Sequence, residues 1–287
     1  MAKGANRISP FFSLILRNWE AKIGMGIASL FVLTAIVVEV ANVLGIQVTP
    51  YNPLQQGTGP ALAPPSLSHI LGTDLIGRDF FSRIIAATPT DMSVGATVVA
   101  IAFTVGILVG TLAAFKGGLV DELLMRFTDV IFALPAMIIA MVIAVALGPG
   151  VINMIIALTV VWWPPYARLA RGEALKVSHE NYIEAARMSG SGTWKIISRH
   201  LIPNTFTTML IYATLDFGTV LLVYAGLSYL GLSIRPPAPD WGEMVSSYQD
   251  YLVSSPWLPL APGITIAIAV TGFSLLGDGI RDALEVR

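Results

Sequence analysis

Six stretches of this chain are apolar over about 20 residues, the length at which a helix crosses the roughly 30 Å hydrocarbon core of a bilayer. They are Ile23–Gly45, Met92–Phe115, Phe127–Leu147, Val151–Ala170, Phe206–Leu230 and Leu258–Leu276. Lipid offers no water to satisfy backbone N–H and C=O groups, so such segments fold as helices. Composition excludes the alternative of six buried helices in a soluble protein. The chain is 55% hydrophobic and 12% charged, against about 25% charged in a soluble domain, and its mean hydropathy is +0.73. Too little charge remains to coat a globule of 287 residues. The expected fold is an all-α, multi-pass membrane protein with six transmembrane helices.

The same counts exclude several chemistries. With no cysteine, the chain has no disulfide framework, thiol nucleophile or Cys-ligated metal. His69, His179 and His200 lie far apart and form no HxxxH pair, so no metal site is expected. A net charge of −1 gives no basis for a nucleic-acid partner. The first apolar stretch is too long for a signal-peptide core, contains Glu39 and is followed by no A-x-A-like cleavage site, so it reads as a retained anchor.

Basic residues set the orientation. With a cytoplasmic N-terminus, the inner segments hold Lys3, Arg7, Arg17, Lys22, Lys116, Arg126, Arg168, Arg171, Lys176, Arg187, Lys195, Arg199, Arg281 and Arg287, which is 14 of 17. The outer segments hold only Arg78, Arg83 and Arg235. The positive-inside rule therefore places both termini in the cytoplasm. The organisation that follows is a cytoplasmic segment (1–22), a first transmembrane helix (23–45), an extracytoplasmic loop rich in Pro and Gly (46–91), and a core of five transmembrane helices (92–287). That core carries one long inner segment (168–203). A second outer loop spans 231–257, and Gly148-Pro149-Gly150 reads as a tight turn.

The inner segment is the most informative. Ser178 suits a helix N-cap, Glu180 suits the positive end of a helix dipole, and Gly190 suits a helix stop with φ > 0. These signals predict a short helix over roughly 179–189. Tyr182, Ala185, Ala186 and Ser189 recur at helical spacing, and the two alanines form a flat patch flanked by Glu184 and Arg187. Another protein could approach that patch closely. An amphipathic helix resting on lipid headgroups fits the composition equally well. Pro203 is expected at the start of the next helix, where a missing N–H costs nothing.

Spacing separates these readings. Glu184-Ala185-Ala186, three residues, Gly190, then Ile202-Pro203 resembles the EAA loop of ABC importer permeases. The resemblance extends along nearly the whole chain, to the oligopeptide/dipeptide/nickel class (OppC/DppC-type). It includes residues 71–84 (LGTDLIGRDFFSRI), Tyr166-Ala167-Arg168 with Arg171 and Glu173, Arg199-His200 with Pro203-Asn204, Leu227-Ser228-Tyr229-Leu230-Gly231, Pro239-Asp240-Trp241-Gly242, and Gly277-Asp278-Gly279 with Arg281-Asp282. Ser189 stands where the family often has leucine, and Ser274 where asparagine is common. Neither difference removes a charge or a required glycine.

The resemblance implies a type I ABC importer permease: a pore-forming, non-catalytic subunit in a plasma or inner membrane. Its implied partners are membrane lipid, a second homologous permease, two ATPase subunits and an extracytoplasmic solute-binding protein. ATP and Mg would be bound by the ATPases, since this chain has no GxxxxGK[ST] loop. The EAA loop would be the coupling helix docking into an ATPase cleft, with Tyr182, Glu184, Ala185, Ala186, Arg187 and Gly190 as its coupling residues. Oligopeptides are the first choice of cargo and oligosaccharides the next, with a nickel complex disfavoured by the lack of a His or Cys cluster.

Two acids fall within apolar stretches, where an ionisable group marks a functional hypothesis. Asp216 lies deep in the fifth stretch. It either faces the pore or the partner permease, on the translocation path, or hydrogen-bonds to another helix. Glu39 lies near the outer end of the first stretch, within reach of the surface. Trp162-Trp163-Pro164-Pro165 reads as an interfacial aromatic belt followed by a kink or helix end. Trp241 and Trp257 would touch the binding protein or anchor at the membrane surface. Gly77-Arg78-Asp79 reads as a turn in a scaffold over the pore mouth. A stand-alone secondary transporter or channel would need paired mid-membrane charges and inverted repeats, and an intramembrane protease would need paired acids, a Ser–His pair or HExxH at depth. Neither pattern is present, and both leave the EAA-like loop unexplained.

Overall fold

A computed structural model describes residues 18–285 of the chain. Lys3, Arg7, Arg17 and Arg287, used above for orientation, lie outside the described residues, as does most of the 1–22 segment. The described residues are helical and loop, without strands. The helices are α1 (Trp19–Leu44), α2 (Phe80–Lys116), α3 (Gly118–Phe132), α4 (Ala136–Leu147), α5 (Val151–Ser178), α6 (Asn181–Met188), α7 (Thr193–Ile196), α8 (Ile202–Tyr229), α9 (Trp241–Tyr248) and α10 (Trp257–Glu285).

Four helical runs are long and apolar enough to cross a membrane: Trp19–Leu44, Phe80–Lys116, Thr193–Tyr229 and Trp257–Ala283. A fifth exists if α3 and α4 count as one span, although they meet at 82°. The break follows from Pro135, which disfavours helical backbone at Leu134. The Pro135 carbonyl then accepts from Ile138 and Ile139 N–H and starts α4. The expected unbroken helix over 127–147 is therefore two helices. The fourth expected span lies in α5, whose apolar stretch is diluted by Trp162-Trp163-Pro164-Pro165 and whose last third is charged.

Three other expectations change. The loop expected over 46–91 ends at Asp79, because residues 80–91 already belong to α2. Their polar Thr88-Pro89-Thr90-Asp91 looked like loop, but Phe80, Ile84, Ala87 and Asp91 are buried along one helical face. The Trp-Trp-Pro-Pro run does not end its helix: α5 continues through both prolines to Ser178. Trp162 is 9% exposed, and the Trp163 ring stacks on Phe127 at 5.9 Å. Finally, Pro203 lies in the first turn of α8, as expected, but no loop separates that helix from the segment before it. The run is continuous and includes a π-helical turn, Ile197–Leu201. A proline removes one N–H donor, and a wider turn is a way to absorb it. Asn204 Nδ2 donates to the His200 carbonyl at 2.6 Å, and Thr205 Oγ1 to the Leu201 carbonyl at 3.1 Å, re-satisfying that stretch.

The described chain divides into two compact units. The first holds the residues up to Ala96, Ala144–Met154 and those from Leu215 onward. Here α1 lies on α10 through small residues. A Cβ on Gly24 would come within 2.3 Å of the Leu276 backbone, and one on Gly279 within 2.2 Å of Ala21. Small residues let helix backbones approach closely and gain dispersion contacts in a medium that gives no hydrophobic drive. The second unit is Thr97–Ile143 with Ile155–Thr214. Gly106 and Gly110, one turn apart on α2, receive Tyr166, Ala167 and Ala170 of α5 in the same manner. Gly148-Pro149-Gly150 is the tight turn expected, and Asn153 Nδ2 closes it by donating to the Leu147 and Gly148 carbonyls at 2.9 and 3.0 Å.

Candidate functional site

In the second unit, two ion pairs fix α5 against α3 before the chain enters the inner segment. Arg171 makes a two-pronged bond to Asp121, both arms at 2.5 Å, and Arg168 reaches Asp129 at 2.6 Å. The Arg168 guanidinium also lies 4.3 Å over the Phe132 ring. Fork-on-carboxylate geometry holds direction as well as distance. Asp121, Glu122, Arg126 and Asp129 line a charged cleft of about 610 Å³ beside these arginines.

The helix expected over 179–189 is α6, Asn181–Met188. Its cap differs from expectation. Ser178 is the last residue of α5, with its hydroxyl donating to the Leu175 carbonyl at 2.9 Å. Glu180 is the cap residue instead, and its carbonyl receives Ile183 N–H at 2.9 Å. A serine hydroxyl can bond back to its own helix, and that local competitor won here. The helix stop is as expected. Gly190 has φ +78°. Its N–H bonds to the Arg187 carbonyl at 3.0 Å, and Ser191 N–H bonds to the Ala186 carbonyl at 3.1 Å. This pair of bonds is the Schellman closure, and it requires a left-handed residue at Gly190.

One side chain roots α6. Ile183 is fully buried with Ile196, Ile197 and Leu201, and Leu112, Phe115, Val177 and Ala186 pack around that cluster. Ala186 is thus turned partly inward, whereas Tyr182, Glu184, Ala185 and Arg187 are exposed. The Arg187 guanidinium lies 4.7 Å over the Phe115 ring, and the Tyr182 ring is 5.9 Å from His200. Two residues absent from the sequence-based set belong to the same surface: Met188 is 83% exposed and Trp194 64%. The sequence signal was present, since a methionine and a tryptophan outside every apolar stretch have no lipid-facing duty. The segment from 181 to 195 therefore offers a small, mixed apolar and charged face on a short rooted helix, followed by an open glycine turn.

The motifs of the first unit build a scaffold. Asp240 is fully buried and accepts five hydrogen bonds, from Tyr224 OH (2.5 Å), Ser233 (3.1 Å), Gly242 N–H (2.9 Å), Glu243 N–H (3.1 Å) and Ser228. Asp74 accepts from Ile76 N–H (3.0 Å), Arg78 N–H (2.9 Å), Arg78 Nε (2.5 Å) and Tyr248 OH (3.1 Å). Burial, and next the Asp74 carboxylate, push the Tyr248 hydroxyl up to about 12. Asp79 bonds His69 Nδ1 at 2.8 Å and caps α2 by accepting Ser82 N–H at 2.8 Å. Gly77-Arg78-Asp79 is thus a turn in a scaffold. Trp241 serves neither reading given above: it is fully buried, and its indole Nε1 donates to the Ile84 carbonyl at 3.0 Å.

The two intramembrane acids differ. Asp216 lies midway along α8, half-buried, and takes part in an interaction within the chain. Glu39 is exposed on α1, beside a groove of about 580 Å³.

Residues 106–287 match the family of binding-protein-dependent transport system inner membrane components. The chain is similar to the probable D,D-dipeptide transport system permease protein DdpC of Escherichia coli K12, with 39% identity over 224 residues, covering 78% of this chain and 75% of the relative. It is similar to the dipeptide transport system permease protein DppC of Alkalihalophilus pseudofirmus, with 36% identity over 281 residues, 97% of this chain and 90% of the relative. It is also similar to the glutathione transport system permease protein GsiD of Pectobacterium atrosepticum, at 36% over 221 residues, 77% and 73%. Together with an all-helical fold and several membrane-length apolar helices, these matches place the chain among the binding-protein-dependent transport system inner membrane components, as a multi-pass permease subunit of such a system.

Proposed function

We propose that this permease forms one half of the pore of an ATP-driven peptide importer, with a second homologous permease as the other half. It spans the membrane six times with both termini in the cytoplasm. Two ATPase subunits bind ATP and Mg inside, and a solute-binding protein delivers cargo outside. Short peptides are the cargo, as in the names of the relatives. The positive-inside distribution supports the orientation. The sixth crossing needs α5 to span as well, with α3 and α4 counted as one broken crossing.

The observation that carries the reading is the segment around α6. Docking uses Tyr182, Glu184 and Ala185 on the exposed face, with Arg187 at the rim. Ala186 and Gly190 set close approach and the turn that follows. Because Ile183 roots α6 in an apolar cluster with Phe115 of α2 and Ile202 of α8, force on this face is passed to the inner ends of two helices. Asp216 is assigned to the translocation path as a solute-facing acid at mid-helix.

The test is Gly190→Val in the assembled complex, reading solute uptake and copurification of the ATPases. Loss of uptake with weakened attachment supports the coupling joint. Full uptake with intact attachment would make this segment a lipid-surface helix and remove the central support.

A further inference from the structure

The helix that leads into the inner segment has a weak point. Pro164 and Pro165 stand inside α5. The Val160 and Val161 carbonyls therefore lose their i+4 donors, and the helix is held there by fewer of its own bonds. Such a run is a place where a helix bends unless neighbours hold it. α5 nonetheless continues through both prolines to Ser178, and α6 follows.

The neighbour is α3, and its contacts fall on both sides of the prolines. Before them, the Phe127 ring stacks on Trp163. After them, Asp129 and the Phe132 ring hold Arg168, and one turn further Asp121 takes both arms of Arg171. The direction of α3 is not set by the helices on either side of it. Gly117 and Gly118, both at positive φ with open space around them, turn the chain between α2 and α3. The 82° break separates α3 from α4. A helix bounded by two breaks takes its direction from what it packs against, and the stretch of α5 that it packs against contains the proline pair.

We propose that α3 is a splint across Pro164-Pro165, and that Asp121 and Asp129 are positioning residues that keep the two parts of α5 in line. A displacement of α6 then reaches the apolar part of α5 instead of being lost as bending at the prolines. The functional half rests on the coupling reading above; the mechanical half does not. Both ion pairs are partly open to solvent, the Arg168 and Asp129 side chains being 40% and 47% exposed. Pairs of that kind add little to stability. A splint and a merely structural contact therefore differ in what they change: the splint sets how α5 bends, not whether the chain folds.

The test uses the assembled complex in proteoliposomes, with partner subunits free of reactive cysteine. This chain has no cysteine of its own. Spin labels on Ile156→Cys and Lys176→Cys, both exposed positions, read a distance across the prolines of about 30 Å along the axis at 1.5 Å per residue. Peptide import and ATP turnover are measured in parallel. Asp121→Asn with Asp129→Asn should broaden the distance distribution and lower peptide imported per ATP about fivefold, the scale of two such pairs lost together. ATPase copurification and melting temperature should stay near those of the unaltered complex. Arg171→Lys keeps the charge but not the fork, and should fall between. Exchanging the partners, Asp121→Arg with Arg171→Asp, should restore both readouts in part.

An unchanged distribution in the double variant overturns the proposal, and so does a broadened one with import per ATP unchanged. A fall in import with a matching fall in melting temperature, or with loss of the ATPases, also overturns it, because the pairs would then hold the fold or the docking face. No recovery in an exchanged chain that melts normally, or no loss at all in Arg171→Lys, has the same consequence. Uptake untouched by Gly190→Val would remove the coupling reading alone, since the distance distribution reads the splint without it.

Discussion

The outer scaffold and the inner segment are built in opposite ways from similar material. Around Asp240 and Asp74, short polar residues are buried and their hydrogen bonds are met many times over. Around α6, one isoleucine carries the anchoring, and the polar side chains point outward. A buried carboxylate with five donors has no tolerated alternative position. A short helix held by one apolar root and ended by an unobstructed glycine turn can tilt or shift at small cost. The contrast teaches where rigidity is placed in this chain. The loops around Asp74 and Asp240 are fixed frames, and the α6 segment is an exposed face on a single buried root.

The sharpest way to break this comparison is at Asp240. Asp240→Ala leaves Tyr224, Ser228, Ser233 and two N–H groups without their acceptor. Each unsatisfied buried group carries a penalty of about 1–3 kcal/mol, so this change should abolish a stable permease, read as loss of the folded band in thermal or detergent-stability assays. A milder outcome, close to wild type, would mean that water reaches this cluster and that the scaffold is not rigid.

Gly242→Ala is next. Its Cβ would lie 2.2 Å from the Ala225 carbonyl oxygen, and overpacking of this kind costs about 1–3 kcal/mol. The melting temperature of the purified complex should fall clearly, and no flexible side chain is available to relieve the contact.

Gly190→Ala probes the other region. Nothing lies within 4 Å of a Cβ there, but φ is +78°, so the cost is backbone strain alone, about 1–2 kcal/mol. The melting temperature should move less than for Gly242→Ala, while uptake falls more. Reversal of that order would contradict the contrast between frame and lever.

The smallest effect is expected at Phe115→Leu, which keeps apolar bulk under α6 but removes the ring beneath Arg187. An exposed cation–π contact contributes about 0.5–1 kcal/mol. A double-mutant cycle with Arg187→Ala should show non-additivity of that size in ATPase attachment. Strict additivity would show that the stacking does not position the guanidinium.

Much of this was legible in the sequence because lipid imposes a simple rule. Long apolar runs had to be helices, and the positions of Gly190 and Gly148-Pro149-Gly150 followed from glycine and proline backbone chemistry. The start and stop signals between Ser178 and Gly190 located α6 to within two residues. The sequence also isolated Glu39 and Asp216 as acids out of place, without revealing that one is engaged within the chain and the other faces an open groove.

The remainder was decided by neighbours distant in sequence. Trp241 looked like a surface anchor until Ile84 and Asp91, about 150 residues away, supplied its partners. Residues 80–91 looked like loop because Thr88, Pro89 and Asp91 are poor helix formers, yet burial of one face against the rest of the unit overrides that preference. Ser178 looked like an N-cap, yet its hydroxyl bonds back to the Leu175 carbonyl within α5 and leaves the cap position to Glu180. By itself the sequence determined the class, an all-helical multi-pass membrane chain, and the short helix closed at Gly190, since these depend on local hydropathy and backbone limits. Tertiary structure alone decided which polar residues are walled in and which face outward, because burial depends on what lies across the gap.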